Sequence, residues 1–542
     1  KSIAGLVPPE IDRFISETGL YAPEESLGGE RISVYGLRCR AIEHLWALNP
    51  KEPGEVDLKK IISVTKTDTV LGKEVRRVIA LSEGEIPERP TASLPSQPLG
   101  NFDLVTPLFS PREAQQEARR CLRCDQPPCE GQCLPRLPIL ELLTLVAQGK
   151  LEQAYLRMRQ AEPLCGLTEY LCQTKENYCE RHCLSRTLFG AGNEVAVQTV
   201  LRTLWEYGRG EFEGRFGSGR RDEAMLRSPR QKVAVVGSGP AGLRAATDLA
   251  KLGYGVTIFE RREQIGGIPR YETPVFRFPA EEVFQQIEKD LQALSIQTVK
   301  GVIIGQDMTP DELKSQNFAA VFVATGLTVP KKLNIHGENL KGVLTSIDLF
   351  GQFLKVGAEG LMKKFKGRKG YVIDSGNTAM DTSRLLRRLG AEVVCIYWKD
   401  KARAYRKEIA AAEREGVSFL FCSLPVELIG DDQGFVSHVR IVKTSFNVKT
   451  GDWEPLPGTE TDLPADFCIY AIGAKPDFKL EGLSLNDDSH ILVNRETLET
   501  FLPTLYAGGD VVERGNISTA IRDGRKAAQS IHRLLRSHTE KP

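Results

Sequence analysis

The chain has 542 residues, 41% of them hydrophobic and 26% charged, which is typical of a folded globular protein of about three or four domains. Its formal net charge of +1 gives no electrostatic footprint for nucleic acid or an anionic membrane. No apolar run approaches the roughly 18 residues that a membrane span needs, and the start has no long apolar leader. These features favour a cytoplasmic protein.

The first hundred residues predict an extra α+β segment. Residues 61–65 and 75–81 have strand-like patterns, and residues 87–98 are rich in proline and serine, which is typical of a linker. We take residues 1–100 as an N-terminal extension, and docking to a partner is one hypothesis for its role.

Residues 101–230 predict a helical domain that ends in a basic linker at 214–230. Eight of the twelve cysteines in the chain fall between Cys121 and Cys183. Such crowding in a long chain indicates metal ligands rather than a disulfide framework. The first group reads Cys121-x2-Cys124-x4-Cys129-x3-Cys133, and these short spacings let one loop surround an iron–sulfur cluster.

A second cysteine group follows at Cys172, Cys179 and Cys183. The two groups contain seven cysteines, so two 4Fe-4S clusters would need one further ligand from elsewhere. A structural zinc site is the alternative for a short cysteine pair, but two groups ahead of a dinucleotide motif favour clusters. Cys165 lies outside both spacings, and we interpret it as a buried thiol.

From residue 231 the chain alternates strands, glycine turns and helices, which predicts parallel sheets with crossover helices. A complete dinucleotide fingerprint follows the strand at 232–236. Its glycines make the tight turn, admit the pyrophosphate and let the helix pack on the strand, while the helix N-terminus stabilises the phosphates. An acidic residue after the second strand can accept from the ribose hydroxyls. The candidate binding residues are Gly237, Gly239, Pro240, Ala241, Gly242 and Glu260.

Near the C-terminus, residues 504–510 predict a strand that delivers Asp510 beside a second helix N-terminus, near Thr519. A carboxylate there can accept from the ribityl chain of a flavin. The positive end of the helix would stabilise a reduced, anionic flavin ring. The alternative is that Asp510 only caps a turn.

These motifs together resemble a family of FAD- and iron–sulfur-containing oxidoreductases. Residues 101–542 are similar to the small (beta) subunit of bacterial glutamate synthase, to the N-terminal half of dihydropyrimidine dehydrogenase and to the large subunit of the NADH-dependent ferredoxin:NADP oxidoreductase. Besides the cysteine groups, the resemblance rests on the motifs at 237–243, 266–279 (which adds Gly267 to the flavin contacts), 324–326, 376–381, 471–473 and 507–510.

The resemblance implies an α/β fold in which a helical two-cluster domain is followed by two Rossmann-like domains, the second inserted in the first. The implied domains are 1–100, 101–230, 231–345 with 471–542 for FAD, and 346–470 for NAD(P). One 4Fe-4S cluster would be held by Cys121, Cys124, Cys129 and Cys183, and the other by Cys133, Cys172, Cys179 and Gln198.

The chain departs from this family at the NAD(P)-binding turn. The family pattern begins with glycine, whereas Asp374 brings a Cβ and a negative charge to the place where the pyrophosphate approaches. Trp398 and Lys399 stand where two arginines usually grip the 2′-phosphate of NADPH, and lysine lacks the bidentate fork of arginine. The remaining candidate nucleotide contacts are Gly376, Asn377, Thr378, Lys399, Arg403 and Arg406.

Two functions therefore stay open. The chain is either an oxidoreductase that moves electrons between NADH or NADPH and a partner through FAD and two clusters, or an electron relay between partner proteins with a degenerate nicotinamide site. No catalytic side chain is expected, because the cofactors carry the chemistry. A protein redox partner or larger catalytic subunit, and hence a hetero-oligomer, is expected in both cases, and a third hypothesis makes residues 1–100 an assembly segment.

Overall fold

The computed structural model describes residues 99–106, 108–124, 127–172, 178–189, 192–212, 231–309, 312–313, 316–478 and 480–539. The strands predicted at 61–65 and 75–81 and the linkers predicted at 87–98 and 214–230 lie outside these residues. Within the described ranges, no helix combines the length and the apolar character that crossing a membrane requires.

The segment that carries the cysteines folds into a helical domain. Helix α1 (Pro111–Arg119) begins with a capping box, in which the Ser110 hydroxyl accepts from the Glu113 N–H at 3.3 Å and the Glu113 carboxylate accepts from the Ser110 N–H at 2.7 Å. Helix α8 (Val197–Glu211) packs its apolar face into the core, where its Trp205 side chain is fully buried. The helices between them are α2 (Pro128–Gly131), α3 (Ile139–Ala147), α4 (Leu151–Ala161), α5 (Leu167–Leu171), α6 (Tyr178–Arg181) and α7 (Leu184–Phe189).

The first α/β unit is built on a five-stranded parallel sheet. Its central strands are continuous apolar runs, because helices cover both faces of a parallel sheet. The strands run across the sheet in the order β16 (Leu505–Ala507), β4 (Phe318–Val323), β1 (Lys232–Val236), β2 (Gly255–Glu260) and β3 (Gln297–Lys300). The helices of this unit are α9 (Pro240–Lys251), α10 (Ile268–Tyr271), α11 (Ala280–Ala293) and α15 (Ile517–Thr539).

A second five-stranded parallel sheet lies, in sequence, between β4 and β16 of the first. This confirms the α/β class and the insertion of the second Rossmann-like unit in the first. The strand order is β6 (Val343–Thr345), β14 (Phe467–Tyr470), β7 (Lys369–Ile373), β8 (Glu392–Ile396) and β9 (Ser418–Leu420), so the sheet begins just before residue 346. Its helices are α12 (Ser346–Phe365, broken at Gly357), α13 (Asn377–Arg388) and α14 (Arg406–Arg414).

Short antiparallel elements complete the two α/β units. Strand β5 (Val329–Pro330) pairs with β15 (Ala474–Lys475) where the chain leaves and re-enters the first unit. The second unit carries a further antiparallel sheet formed by β10 (Ser423–Gly430), β11 (Val436–Asn447), β12 (Asp452–Pro455) and β13 (Thr461–Pro464).

Buried ion pairs join the helical domain to the first α/β unit. The Arg159 guanidinium on α4 lies 2.9 Å from both carboxylate oxygens of Asp290 on α11. Arg244 on α9 donates to Glu162, just after α4, at 2.7 Å. Both arginine side chains are almost fully buried. Because a buried charge needs its partner, these pairs fix how the two parts of the chain meet.

A third buried cation joins the two α/β units. Arg277, in the segment before α11, donates two hydrogen bonds of 2.5 and 2.6 Å to the carboxylate of Asp381 on α13. Its guanidinium also lies 3.2 Å from the carboxylate of Glu408 on α14. Arg277 therefore links the first unit to two helices of the second.

Replacement of Arg277 tests this link. We expect Arg277→Ala to lower the free energy of unfolding by about 3–5 kcal/mol, because two carboxylates stay buried without their shared cation. Chemical denaturation of variant and wild type measures the loss. Arg440→Ala is the matched control, since Arg440 pairs with Asp462 on partly exposed side chains and should cost less than about 1 kcal/mol. Equal losses in the two variants would contradict the interpretation.

Candidate functional site

A cavity of about 800 Å³ lies between the two α/β units. Cofactor pockets commonly span about 300–1,000 Å³. Both glycine turns reach this cavity, the first on one wall and the second on the other. The geometry therefore brings the two predicted nucleotide sites to one shared space.

The first turn has the shape that a dinucleotide requires. Gly237 has φ 103°, and a Cβ there would lie 2.5 Å from the Ala324 carbonyl oxygen. A Cβ at Gly242 would overlap the Gly237 carbonyl, so this glycine lets α9 pack on β1. At Gly239 a Cβ would meet no atom within 4 Å. Gly239, with Pro240 and Ala241 at the start of α9, lines the cavity and leaves room for a pyrophosphate.

Glu260, at the end of β2, faces the same cavity but also supports the turn. Its carboxylate accepts from the Ser238 N–H at 3.0 Å and from the Ser238 hydroxyl, and its other oxygen accepts from the Arg262 N–H at 2.8 Å. A carboxylate has about four acceptor positions, so acceptance from a ribose stays a prediction that this geometry allows.

Gly267 brings a second loop against the first turn. It has φ 59°, and a Cβ there would lie 2.9 Å from the Gly239 Cα. Glycine is required for this close approach at a left-handed φ. Gly267 lines the cavity as α10 begins, which is the place that the resemblance implied for a flavin contact.

The C-terminal motif also reaches the cavity, with one difference from the expectation. Asp510 lines it, accepts from the Gly515 N–H at 3.1 Å, and has a pKa raised by burial. Helix α15 begins at Ile517 rather than near Thr519, because the Asn516 side chain accepts from the Thr519 N–H at 3.1 Å and caps the helix. The Thr519 hydroxyl donates to the Asn516 carbonyl at 2.7 Å, so Asn516 and Ile517, rather than Thr519, face the cavity.

The cysteines are brought together as two groups. Four of them surround one small cavity whose other walls are mostly apolar: Cys121, Cys124, Cys129 and Cys183. Burial raises the pKa of the Cys129 thiol, and the other three thiols of this cavity raise it further. A bound cation reverses this effect, since a coordinated thiol is deprotonated.

Cys133, Cys172 and Cys179 form the second group. Burial raises the pKa of the Cys133 thiol to about 12, and Cys172 adds to the rise. Burial also raises the pKa of Cys179, with contributions from both other thiols. The Gln198 side chain joins them, because its amide donates to the Cys172 carbonyl at 3.1 Å. The structure thus gathers the residues of each implied ligand set, and their ligand roles stay predictions.

The chemistry of the donor sets suits iron–sulfur clusters, because thiolates are soft ligands and the cysteines form two groups. Among the described side chains, no three His, Cys, Asp or Glu residues are grouped closely enough to hold one metal ion. Cys165 is buried, and its thiol donates to the Glu162 carbonyl at 2.9 Å, as expected of a thiol outside the ligand sets.

The second thiol group adjoins the cavity between the two α/β units. Leu171 lines the cavity, and the next residue is Cys172. The Ser518 hydroxyl, in the first turn of α15, lies 3.1 Å from the Cys172 sulfur and donates to it. Ser518 is fully buried. Sequence spacing did not reveal this contact, because 346 residues separate the two side chains.

The second glycine turn differs from the first in its charge. Gly376, Asn377 and Thr378 line the cavity. Asp374 is buried and accepts two hydrogen bonds from the Arg403 guanidinium, and Arg403 lines the cavity. The negative charge that Asp374 brings to the turn is therefore paired with the positive charge of Arg403.

Two other predicted phosphate partners lie elsewhere. The Lys399 ammonium is 4.0 Å from a carboxylate oxygen of Asp452, and 41% of its side chain is exposed. Arg406 is exposed at the start of α14. Of the three basic residues proposed from the sequence, Arg403 is the one that the structure brings to the cavity wall.

Two family models match the chain. The model described as pyridine nucleotide-disulphide oxidoreductase matches residues 231–528. The model described as dihydropyrimidine dehydrogenase domain II, 4Fe-4S cluster, matches residues 99–210. The first match covers both α/β units and the second covers the helical domain, so the matches divide the chain where the fold divides it.

Curated relatives are similar over most of the chain, and they confirm the resemblance inferred from the motifs. The glutamate synthase (NADPH) small chain of Halomonas elongata is 30% identical over 444 residues, which are 78% of this chain and 91% of that protein. The Azospirillum brasilense protein of the same name is 29% identical over 468 residues, 82% of this chain and 93% of its own. Subunit beta of the NADP(+)-dependent formate dehydrogenase of Moorella thermoacetica is 30% identical over 442 residues, which are 77% of this chain and 61% of that subunit.

Two alanine substitutions separate folding from flavin binding at the first turn. We expect Gly239→Ala to fold like the wild type and lose about ten- to a hundredfold in FAD affinity, because the new Cβ meets no protein atom but enters the pyrophosphate space. Gly242→Ala should lose both fold and flavin, since its Cβ overlaps the turn itself. Circular dichroism of the flavin-free proteins and FAD titration measure the two effects. Unchanged FAD affinity in Gly239→Ala would contradict the assignment.

Proposed function

The chain belongs to the pyridine nucleotide-disulphide oxidoreductase family, and on that basis we propose that it oxidises NAD(P)H and passes the electrons to a partner subunit. An FAD-binding fold and an iron–sulfur domain in one chain make it an FAD- and iron–sulfur-dependent electron-transfer oxidoreductase. The finer proposal concerns the residues that hold each group and the route between them.

The protein's own residues bind and orient FAD and the nicotinamide nucleotide. FAD, when bound, accepts a hydride and releases its electrons singly, and iron–sulfur clusters carry single electrons. The first glycine turn directs the N-terminus of α9 at the FAD pyrophosphate. Asn516 and Ile517 present the N-terminus of α15 to the cavity, where its partial positive charge stabilises the negative charge of the reduced ring. Gly376 to Thr378 hold the nicotinamide nucleotide on the opposite wall.

The cluster ligands are proposed from the grouping of the thiols. Sulfur ligands suit iron–sulfur clusters, and a glutamine oxygen completes the second set. The cluster farther from the cavity is held by Cys121, Cys124, Cys129 and Cys183, and the nearer one by Cys133, Cys172, Cys179 and Gln198.

The observation that carries the proposal is the junction between the cavity and the second thiol group. Leu171 belongs to the cavity wall, Cys172 follows it, and Ser518 joins Cys172 to the helix that starts at the cavity. With both groups bound, this junction would place the second cluster beside the wall of the flavin site. A relay without nicotinamide chemistry was motivated by Asp374 and Trp398, and the pairing of the Asp374 carboxylate with Arg403 weakens the first of these two arguments.

The partner is proposed by analogy with the relatives. They are named as a small chain of glutamate synthase and a beta subunit of formate dehydrogenase. We infer that this chain likewise works in a hetero-oligomer with a larger catalytic subunit, in the cytoplasm, and that residues 1–100 are available for docking.

Anaerobic reduction tests the proposed function. The cluster-loaded protein is titrated with NADH and with NADPH while the visible absorbance of the flavin is followed. We expect one of the two nucleotides to bleach the flavin rapidly, and the better reductant identifies the physiological one. Bleaching by dithionite but by neither nucleotide would contradict the proposal and favour the relay.

Single cysteine substitutions test the ligand sets. We expect Cys121→Ala and Cys133→Ala each to lose about half of the iron and acid-labile sulfide, because each removes one ligand of a different four-ligand cluster. Cys165→Ala is the matched control and should keep its full iron content. The FAD content of each variant reports that the rest of the chain is folded. Iron loss in Cys165→Ala, or full iron in the other two, would contradict the assignment.

A further inference from the structure

The second dinucleotide turn puts an aspartate in a conformation that glycine usually supplies. Asp374 has φ 102°, and Gly237 at the same place of the first turn has φ 103°. Both residues follow the strand that enters the turn, and both donate their N–H to a neighbouring strand, Gly237 to Phe259 at 2.8 Å and Asp374 to Ile396 at 3.0 Å. The backbone of the turn is therefore kept while the residue has changed. A non-glycine residue at this φ is strained and needs support from its surroundings.

That support comes from Arg403. Its Nε donates to Asp374 Oδ1 at 2.9 Å and its Nη2 donates to Oδ2, a bidentate pair. The Ser375 N–H also donates to Asp374 Oδ1, at 2.6 Å. The Asp374 side chain is 1% exposed, whereas that of Arg403 is 43% exposed. The carboxylate is thus hidden beneath the turn, and the guanidinium is the charge that the cavity meets.

The backbone next to Arg403 is tied to the same turn. The Arg403 N–H donates to the Ser375 hydroxyl at 3.3 Å, and the Ala404 N–H donates to the Ser375 carbonyl at 2.9 Å. The Tyr405 N–H donates to the Asn377 side chain at 3.0 Å. These bonds hold residues 403–405 above the turn, so the position of the guanidinium is fixed from two sides.

The two turns differ at the glycine that admits the pyrophosphate. At Gly239 a Cβ would meet nothing within 4 Å, whereas at Gly376 it would lie 3.2 Å from Arg403 Nη2. The guanidinium occupies the space that the first turn leaves open. Asp374 uses one edge of the fork, and arginine has five N–H donors, so other donors remain for a ligand on the cavity side.

We propose that Arg403, held by Asp374, binds the pyrophosphate of the nicotinamide nucleotide in place of a close backbone approach. This inference rests on the proposed function and names the residue that binds the phosphates of the nucleotide there. Asp374 is a positioning residue, since it acts through Arg403. The chain thereby replaces a backbone contact at glycine by a contact with the Arg403 guanidinium, whose position is fixed before the nucleotide binds.

Four variants test the proposal: Asp374→Gly, Arg403→Lys, Arg403→Ala and the double variant Asp374→Asn with Arg403→Ala, which removes both charges and keeps a side chain at residue 374. Asp374→Gly suits φ 102° and should fold, but it releases the guanidinium. Arg403→Ala removes the contact and exposes a carboxylate to the phosphates. We expect KM for the nucleotide to rise about ten- to a hundredfold in Arg403→Ala, less in Asp374→Gly and Arg403→Lys, with kcat changed far less than KM.

The double variant decides between a contact and mere neutralisation. If Arg403 binds the pyrophosphate, the double variant keeps a KM well above that of Asp374→Gly. If Arg403 only neutralises Asp374, the double variant recovers the wild-type KM, and the proposal is overturned. Nucleotide binding tighter than wild type in Arg403→Ala would mean that the side chain blocks the site, which also overturns it.

The controls separate this inference from the proposed function. Arg440→Ala removes a partly exposed arginine of the same unit and should leave KM unchanged. FAD content, iron content and reduction by dithionite should match the wild type in every variant. If neither nucleotide reduces the wild-type flavin, the proposed function fails. If one nucleotide does and the Arg403 variants keep the wild-type KM, the inference alone fails.

Discussion

The close packing of α9 against α15 is the constraint on which the rest of the site depends. A Cβ on Gly524 would overlap the Ala241 carbonyl oxygen, so only glycine lets the two helices approach this closely. Helix α9 starts at the first glycine turn, and α15 starts at the cavity and bonds Cys172 through Ser518. One helix pair therefore positions both the proposed FAD site and the second thiol group beside it.

Charge pairs at the junctions have a different role from the apolar cores. The helical domain and the first α/β unit share one buried apolar core, and the second α/β unit has a separate core, while Arg159 and Arg277 place charges at the boundaries. A buried pair adds little net stability, yet its loss is costly because one charge remains. The Asp374–Arg403 pair extends the same device to the nucleotide site. Buried carboxylates thus position arginines at both the domain boundary and the cavity.

Local chemistry explains what the sequence could predict. Cysteine spacing indicated clusters, and the fingerprint at 237–242 with Glu260 indicated a dinucleotide, because both depend on residues close in sequence. The division of the thiols into two sets came from the resemblance rather than from spacing. Asp374 was recognised as unusual, but its partner was not, since Arg403 lies 29 residues away and is brought back by the α/β crossover. The sequence placed the start of the helix near Thr519 rather than at Ile517. The capping role of Asn516 was missed because it depends on side-chain geometry.

The central claim is that electrons from NAD(P)H leave the flavin through the cluster beside Cys172. Rapid freeze-quench paramagnetic resonance tests it most directly. The oxidised, cluster-loaded protein is mixed with one equivalent of the active nucleotide and frozen at intervals, with flavin absorbance recorded in parallel. The account predicts that the paramagnetic signals of reduced clusters rise as the bleached flavin absorbance recovers, within a single turnover. A fully reduced flavin beside clusters that stay oxidised, although dithionite reduces them, would contradict it.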